Sequence, residues 1–435
     1  MSAGGVAAPV FICHGCGARV DAARAFPFAC PNAGGDDVDH LLVAPSEAAE
    51  FALGNEDDPF LRYRRWLSPY RLALASGLSD AAWGDLVGEL DAALQRIDGR
   101  GFRVTPFAPQ PALASALGLA GQLWVKDETQ NVSGSHKGRH LMGLMLYLRV
   151  LESSGLALAA GLRQRRLAIA SCGNAALAAA VLARAANWPL DVFIPTDAEA
   201  SVVRRLSELG ASVIVCERKA GESGDPCVQA VRAAVAAGAI PFGVQGPDNG
   251  LAVEGVRTLA FEMAQAHADI DVLYVQVGGG ALASALAQGF AMAVAAGLIK
   301  RAPILMTVQT EGCAPLFRAW RALQGVDLEV AAHNRTRFMR PWETPPHSLA
   351  HGILDDETYD WWEVAKAMRA SGGETVVANE AAIARALELS RTHTDIFASA
   401  TGAAGLAGVL AALSIQGTVA AVLSGIERSA KNSFA

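Results

Sequence analysis

The repeated succession of an apolar strand and an Ala-rich helix is the feature that most restricts the fold of this chain. Between residues 167 and 216 the order is strand, helix, strand, helix, strand, with helices predicted over Ala175–Ala186 and Glu199–Leu209. Parallel strands need crossover helices of this kind, and strands buried on both faces have continuous apolar runs. Strands are predicted over Gln122–Lys126, Leu167–Ser171, Leu190–Ile194, Ser212–Cys216, Val272–Val277, Ile304–Gln309 and Val419–Ser424. We therefore expect an α/β protein with doubly wound parallel sheets.

Composition and charge exclude several classes of protein. The 435 residues suffice for two or three domains, and 52% apolar with 18% charged residues argues against disorder. The net charge of −7 offers no basic surface, so we expect neither a nucleic-acid partner nor membrane association. The seven cysteines include only one close pair, and no basic segment opens the chain, which favours a cytoplasmic location.

One uncharged stretch, from Ile396 to Ile426, is long enough to span a bilayer. Ala, Gly, Ser and Thr dominate it, and Gln416-Gly417 interrupts it before a short Val-rich run. This composition favours a buried helix, a turn and a buried parallel strand over a membrane span.

A lysine in a Gly/Ser loop is the first candidate for chemistry. The loop Ser133–Arg139 follows a predicted strand, and Lys137 stands where the next helix, predicted over Leu141–Val150, begins. The positive end of a helix dipole disfavours an ammonium, which promotes a neutral, nucleophilic amine. Lys137 is therefore a candidate imine former, and the alternative is an ordinary solvated loop lysine.

Two further loops join a strand to a helix. Ser171, Cys172, Gly173 and Asn174 directly precede an Ala-rich helix, whose free N–H groups could bind a carboxylate or phosphate. The alternative there is a simple helix cap. The run Gly278–Gly280 could form a phosphate nest, and the alternative is a tight turn.

A fourth site lies at the end of the last predicted strand, where ligands of open α/β sheets bind. Ser424 at that position could contact a heterocycle nitrogen. A single ligand accounts for all four sites, namely pyridoxal phosphate with an amino acid partner, because it has a phosphate, an aldehyde and a ring nitrogen.

The order of these segments resembles the fold-type-II family of pyridoxal-phosphate enzymes, also called tryptophan synthase β-like. Threonine synthase and the serine/threonine dehydratases are the members closest in appearance. The resemblance covers roughly Thr105 to Arg428 and rests on the following segments: Lys126–Glu128, Ser133–Arg139, Ser171–Asn174, Gly278–Gly280, Gln309–Pro315, Ala400–Leu406 and Val422–Gly425.

The resemblance implies two doubly wound three-layer domains. Residues 51–140 and 247–435 would form a large cofactor-binding domain, and residues 141–246 a small, mobile substrate domain. A homodimer that acts on a small amino acid substrate is implied as well.

The resemblance also implies site roles. The cofactor contacts would be Lys137 as Schiff-base lysine and α-proton shuttle, His136 at the phosphate, Asn174 at the ring hydroxyl, Gly278, Gly279 and Gly280 around the phosphate, and Ser424 at the pyridine nitrogen. The substrate carboxylate would bind Ser171, Cys172, Gly173 and Asn174. A serine at the pyridine nitrogen leaves that nitrogen largely unprotonated, which favours elimination or replacement over transamination.

The implied activity is that of a pyridoxal-phosphate-dependent lyase. It would either eliminate the β-substituent of a hydroxyamino acid or carry out a threonine-synthase-like β,γ-replacement. The His136-Lys137 pair, which resembles that of the tryptophan synthase β chain, keeps open a β-replacement on serine. A non-catalytic, cofactor-binding relative is the remaining alternative.

The first 50 residues form a separate, Cys-bearing appendage that resembles a zinc ribbon. Cys13, Cys16 and Cys30 supply three possible zinc ligands. A fourth would have to be His14, His40 or an aspartate, and His40 is the best placed of these. The alternative is a degenerate ribbon that binds no metal.

Overall fold

The computed structural model describes residues 6–44, 54–218, 224–411 and 416–428. Their strands are β1 Val10–Cys13, β2 Arg19–Asp21, β3 Leu42–Val43, β4 Phe107–Pro109, β5 Gln122–Asp127, β6 Leu167–Ala170, β7 Leu190–Pro195, β8 Ser212–Cys216, β9 Ile240–Pro241, β10 Val272–Gln276, β11 Ile304–Thr310, β12 Thr375–Ala378 and β13 Thr418–Leu423. Every strand predicted from the apolar runs is present, within a residue or two at its ends.

The α-helices span Pro59–Arg62, Ser68–Ala75, Asp80–Asp98, Pro111–Leu117, Lys137–Ser154, Asn174–Ala185, Ala200–Glu208, Pro226–Ala236, Arg257–Ala266, Ala281–Ala295, Pro315–Ala322, Leu328–Ala332, Arg335–Phe338, Trp361–Ser371, Glu380–His393 and Ala400–Val409. Short 3-10 turns occupy Arg64–Trp66, Val132–Gly134, Ala157–Ala159, Leu162–Gln164 and His351–Ile353. The helix predicted to begin at Leu141 begins at Lys137 instead, because its first turn is polar and only the following residues show the apolar pattern.

The larger sheet has six strands in the order β12-β11-β10-β13-β5-β4. Its strands run parallel except for the edge strand β4, which pairs antiparallel with β5. The central strands β10 and β13 are almost entirely buried, as expected for strands covered by helices on both faces.

The smaller sheet has four parallel strands in the order β8-β7-β6-β9. A third, antiparallel sheet of order β2-β1-β3 forms the N-terminal segment. The expected α/β class with two parallel sheets and a small Cys-bearing appendage is confirmed.

The hydrophobic cores bear on the division into domains. The core of the smaller sheet includes Phe60, Trp83 and Phe102, which come from the helical segment that precedes β4. Part of that segment therefore packs with residues 141–246, while Tyr63 and Trp66 pack against Phe261 and Met292, from helices next to the larger sheet. The domain limits drawn from the sequence, and the mobility of the small domain, stay predictions.

The uncharged stretch that begins at Ile396 contains the buried helix Ala400–Val409 and the buried strand β13, and residues 412–415 lie outside the described part. Within the described ranges no single helix is long and apolar enough to cross a membrane. The segments Lys137–Ser154 and Ala157–Gln164 are long and apolar enough only when they are counted together, and they meet at a bend of 108°.

Candidate functional site

The candidate residues gather at the carboxyl ends of the parallel strands. Ser424 directly follows β13, Gly278 follows β10 after one residue, and the lysine loop follows β5. Asn174 begins the helix after β6 of the smaller sheet. Because β5, β13 and β10 are neighbours, their carboxyl ends lie along one edge, where ligands of such sheets bind.

The loop before Lys137 is held by unusual backbone geometry. Ser133 and Gly134 both have positive φ angles, of 57° and 67°, which turn the chain sharply before the helix. Ser135 then pairs with Gly425 across an isolated bridge. At Gly138, a Cβ would lie 2.9 Å from the carbonyl oxygen of Val132, which explains why glycine follows the lysine. The helix begins at Lys137 itself, so the amine lies at its N-terminal end.

Lys137 carries a perturbed amine. Burial lowers its pKa below the ordinary value, and the nearby carboxylates Asp355 and Asp360 oppose that shift. Burial in turn raises the pKa of Asp355 to about 6 and that of Asp360 to about 7. A lowered lysine pKa favours the neutral amine that forms imines and accepts protons.

His136 is buried beside the lysine and is neutral. Its backbone N–H donates to the Ser424 carbonyl at 3.0 Å, and its ring Nδ1 lies 3.0 Å from the same oxygen. Burial, and secondarily the charge of Lys137, lowers the pKa of His136 to about 3. Its Nε2 has no hydrogen-bond partner in the described part of the chain, and the same holds for the buried Ser135 Oγ. A phosphate contact of His136 stays a prediction.

Ser424 is fixed by an amide that the sequence analysis did not single out. The Gln276 Nε2 donates to the Ser424 Oγ at 2.6 Å and to the Gly402 carbonyl at 3.0 Å. Gln276 ends β10 and lies two residues before the glycine loop. Its only sequence signal is a polar residue at the end of an apolar strand. The group at this position of the site is thus a neutral hydroxyl oriented by a neutral amide.

The glycine loop caps a helix and is closely covered. Gly280, with φ 94°, is the N-cap of the helix Ala281–Ala295. A Cβ on Gly278 would overlap the Asp355 Oδ2, and a Cβ on Gly280 would lie 2.9 Å from the Thr358 Cγ2. The Asp355 Oδ2 also lies 3.7 Å from the position of a Gly279 Cβ, so the carboxyl group rests against the glycine loop. The loop therefore faces a group that can carry negative charge, as a phosphate nest would.

The segment that covers the loop is bonded to it through the backbone. Thr358 Oγ1 donates to the Gly278 carbonyl at 2.9 Å, and the Asp360 N–H donates to the Gly279 carbonyl at 2.9 Å. No local signal in the sequence could have identified this segment, because it lies about 75 residues from the glycines along the chain.

Asn174 faces the end of β13. A Cβ built on Gly425 would lie 2.9 Å from the Asn174 Nδ2, so the amide is close to the strand end. The Asn174 Oδ1 accepts from the Arg428 Nε at 3.1 Å, and Arg428 also donates to the Ser133 carbonyl. Arg428, which the sequence analysis did not single out, thus connects Asn174 to the lysine loop.

The predicted carboxylate-binding residues directly precede Asn174. The Ser171 Oγ accepts from the Gly173 N–H at 3.3 Å, and Cys172 is exposed. Partial desolvation by the surrounding residues, with a smaller effect of Asp197, raises the pKa of the Cys172 thiol, so the thiol stays protonated. A protonated thiol and the first N–H groups of a helix suit a carboxylate, and their role stays a prediction.

A buried network of ion pairs holds Arg139, in the first turn of the helix Lys137–Ser154. The Arg139 Nε and Nη2 donate to the two oxygens of Glu128 at 2.9 and 3.0 Å, and its Nη1 donates to the Glu262 Oε1 at 2.5 Å. Lys126 pairs with Glu262 as well. All four side chains are at most 1% exposed, so two cations balance two anions in the interior.

The hydrogen-bonding groups and the lysine amine of the site suit pyridoxal phosphate. The backbone of Gly278–Gly280 and the start of the helix Ala281–Ala295 form an anion cradle, against which Asp355 lies. The buried Ser135 Oγ and His136 Nε2, near the Ser424 backbone, lack partners among the described residues. The lowered pKa of Lys137 favours the neutral amine, which is the form that reacts with the aldehyde of the cofactor. The residues fit the group, provided that Asp355 gives up the cradle to the phosphate.

The four candidate metal ligands also come together, away from the glycine loop. One ligand atom each from Cys13, Cys16, Cys30 and His40 lies within 4.8 Å of the others. His14, the alternative ligand, instead pairs with Glu363.

Comparison with known proteins agrees with this geometry. A family model described as "Pyridoxal-phosphate dependent enzyme" matches residues 100–425. A threonine synthase of Synechocystis sp. is 27% identical over 70% of this chain and 71% of its own length. An L-threonine ammonia-lyase of Thermotoga maritima is 27% identical over 70% of this chain and 67% of its own length.

Solved structures show the same fold. Maize serine racemase aligns with a TM-score of 0.58 at 19% identity, covering 79% of this chain and 94% of its own. The processed form of threonine deaminase isoform 2 from Solanum lycopersicum aligns with a TM-score of 0.58 at 17% identity, covering 82% of this chain and 92% of its own. The expectation of a fold-type-II architecture is confirmed.

Proposed function

The chain belongs to the pyridoxal-phosphate dependent enzyme family, and on that premise we propose that it is a lyase that removes water from a β-hydroxyamino acid. The family implies pyridoxal phosphate as the cofactor, and a threonine synthase and an L-threonine ammonia-lyase are among the relatives, each 27% identical to this chain. The choice of elimination over replacement is the proposal.

The residues that would hold the cofactor follow from the site. Lys137 would bind its aldehyde, and Gly278–Gly280 its phosphate. Asn174 would donate to the ring hydroxyl, and Ser424 would face the ring nitrogen. Bound there, the cofactor accepts charge that develops on the substrate Cα. Because Ser424 is a neutral hydroxyl held by Gln276, it supplies no proton to the ring nitrogen, which weakens that acceptance and favours loss of a β-substituent.

The remaining steps belong to the protein. The neutral amine of Lys137 takes the proton from the substrate Cα, since its pKa is lowered by burial. The N–H groups after β6 orient the substrate carboxylate. The departing hydroxyl leaves as water once it receives a proton. Asp360, whose pKa is raised to about 7 by burial, is the acid that the site offers, because about half of it is protonated at pH 7.

The observation that carries the proposal is the neutral group at the end of β13. The Ser424 Oγ accepts from the Gln276 Nε2 at 2.6 Å, so a hydroxyl held by an amide, and not a carboxylate, would face the ring nitrogen. An unprotonated ring nitrogen favours loss of a β-substituent over transamination, and the hydroxyl of serine or threonine is such a substituent. We further propose a cytoplasmic homodimer, in line with the family resemblance.

The test is turnover of the purified, cofactor-loaded protein. We expect keto acid and ammonia from serine or threonine, and a visible absorption band that Lys137→Ala abolishes. Lys300→Ala, at an exposed lysine in a loop, is the matched control and should keep both. Threonine formation from O-phosphohomoserine, tryptophan formation from serine and indole, or no turnover of either hydroxyamino acid would each contradict the elimination proposal.

A further inference from the structure

Three cysteines and one histidine form a compact cluster in the N-terminal segment. The Cys16 and Cys30 Sγ atoms are 3.5 Å apart, and the Cys13 Sγ lies 3.6 Å from the His40 Nδ1. Cys13 ends β1, Cys16 lies in the turn after it, and Cys30 and His40 lie between β2 and β3. The fold, rather than proximity in the sequence, therefore brings the four side chains together.

The spacing matches the edges of a zinc tetrahedron. With Zn–S distances of about 2.3 Å and Zn–N of about 2.0 Å, tetrahedral coordination places two sulfurs about 3.8 Å apart and a sulfur about 3.5 Å from a nitrogen. The Cys16–Cys30 and Cys13–His40 separations lie close to these lengths, and the other ligand–ligand distances are at most 4.8 Å. A disulfide between Cys16 and Cys30 would instead need about 2.05 Å between the sulfurs.

The groups around the cluster are those expected of metal-bound thiolates. The Asn32 N–H donates to the Cys30 Sγ at 3.4 Å, and the Asn32 Nδ2 donates to the Cys16 Sγ at 3.5 Å. The Gly17 N–H donates to the Cys13 carbonyl at 2.8 Å, and its φ of 73° closes the turn that aims Cys13 and Cys16 at one point. The two hydrogen bonds from Asn32 stabilise negative charge on the sulfurs.

The histidine is oriented by a carboxylate. His40 Nε2 lies 3.0 Å from the Asp36 Oδ1, so the ring donates from Nε2 and leaves the Nδ1 lone pair directed at the cysteines. This is the arrangement by which a carboxylate fixes the tautomer of a metal-bound histidine.

We propose that Cys13, Cys16, Cys30 and His40 bind one Zn²⁺ as a structural site. The set is complete with four protein ligands, which leaves no open position for a substrate. The strands β1–β3 have only four, three and two residues, and so small a sheet gains much of its order from a metal.

The ion would also steady a contact between the appendage and the glycine loop. Asp39, adjacent to the ligand His40, accepts from the Arg335 Nε at 3.1 Å and the Trp361 Nε1 at 3.2 Å. Trp361 follows Asp360, whose N–H donates to the Gly279 carbonyl. The metal thus holds one end of a chain of contacts that reaches the glycine loop.

Elemental analysis of the full-length protein, purified without chelators or a histidine tag, tests the proposal. We expect about one zinc per chain, and loss of most of it in Cys16→Ser and in Cys30→Ser. The control Cys216→Ser, at a partly exposed cysteine outside the cluster, should keep its zinc. Replacement of zinc by Co²⁺ should give the visible absorption of tetrahedral cobalt with thiolate ligands, and Cys16→Ser should lose it.

Three results would overturn the proposal. The first is purified protein without zinc that also fails to take up Co²⁺. The second is wild-type protein whose mass shows a Cys16–Cys30 disulfide. The third is full zinc content in both cluster variants. None of these readouts depends on the activity of the enzyme, so failure of the zinc site and failure of the elimination proposal are distinguishable.

Discussion

Replacing Arg139 by methionine should destabilise the whole protein, because this guanidinium balances two buried carboxylates. Arg139 is fully buried and donates to both Glu128 and Glu262, while Lys126 supplies the second cation. Arg139→Met keeps most of the side-chain length but leaves two anions with one cation in the interior. Breaking a buried ion pair on one side costs about 3–5 kcal/mol, because the remaining charge stays buried without compensation.

Urea denaturation of the apoprotein, followed by tryptophan fluorescence, measures that loss. With a denaturant slope of about 3 kcal/mol/M for a chain of this size, the midpoint should fall by about 1 to 1.7 M. Arg385→Met is the matched control. Its partner is Glu388, and the two side chains are 53% and 65% exposed, so removing this pair should cost less than about 0.5 kcal/mol.

A second substitution separates charge from packing. Adding Glu128→Gln to Arg139→Met removes the uncompensated charge, so the double variant should be more stable than Arg139→Met alone. A midpoint shift below about 0.3 M in Arg139→Met, or an equal shift in the Arg385→Met control, would refute the reasoning.

Three further predictions concern the cofactor site. Asp355→Asn should bind pyridoxal phosphate about 10-fold more tightly than wild type in equilibrium dialysis, because a negative charge no longer opposes the phosphate beside the glycine loop. Since the pKa of Asp355 is about 6, this advantage should be nearly full at pH 7 and shrink towards pH 5. Asp269→Asn, at an exposed position before the amino end of β10, is the control and should show none. Gly278→Ala should weaken cofactor binding about 10-fold, since the new Cβ would overlap the Asp355 Oδ2 and lie 2.8 Å from the Ile353 backbone. Gly84→Ala is the control, because no atom lies within 4 Å of its Cβ position. This variant should bind the cofactor normally and gain about 0.5–1 kcal/mol of stability. Ser424→Asp should raise transamination relative to elimination, measured as pyridoxamine phosphate formed per keto acid, because a carboxylate keeps the ring nitrogen protonated; an unchanged ratio would contradict the role given to Ser424.

The elements themselves could be predicted because their signals are local. A strand such as β10 is a mostly apolar run that ends just before a glycine loop, and a helix such as Asn174–Ala185 is an Ala-rich stretch after a turn. Six strands, β1, β2, β3, β4, β9 and β12, were not predicted, since two to four residues carry little periodicity. The placement of Lys137 at a helix start followed from the Gly/Ser loop alone.

The covering segment could not be predicted, because its role depends on contacts between distant parts of the chain. Asp355 and Asp360 belong to a loop with no periodic pattern, and only the fold brings them to the glycines and to Lys137. Gln276 and Arg428 are ordinary polar residues in the sequence. Their hydrogen bonds to Ser424 and Asn174 exist only once the strand ends are adjacent.

The sequence by itself determined which segments become strands and helices, and which glycines, lysine and serine stand at their junctions, because backbone propensity and burial act over a few residues. Only the tertiary structure decided which side chains surround those junctions. It selected His40 over His14 as the fourth neighbour of the cysteines, and it placed a carboxyl group against the glycine loop. Electrostatic shifts and ligand geometry depend on distances through space, and these are fixed only when the sheets are assembled.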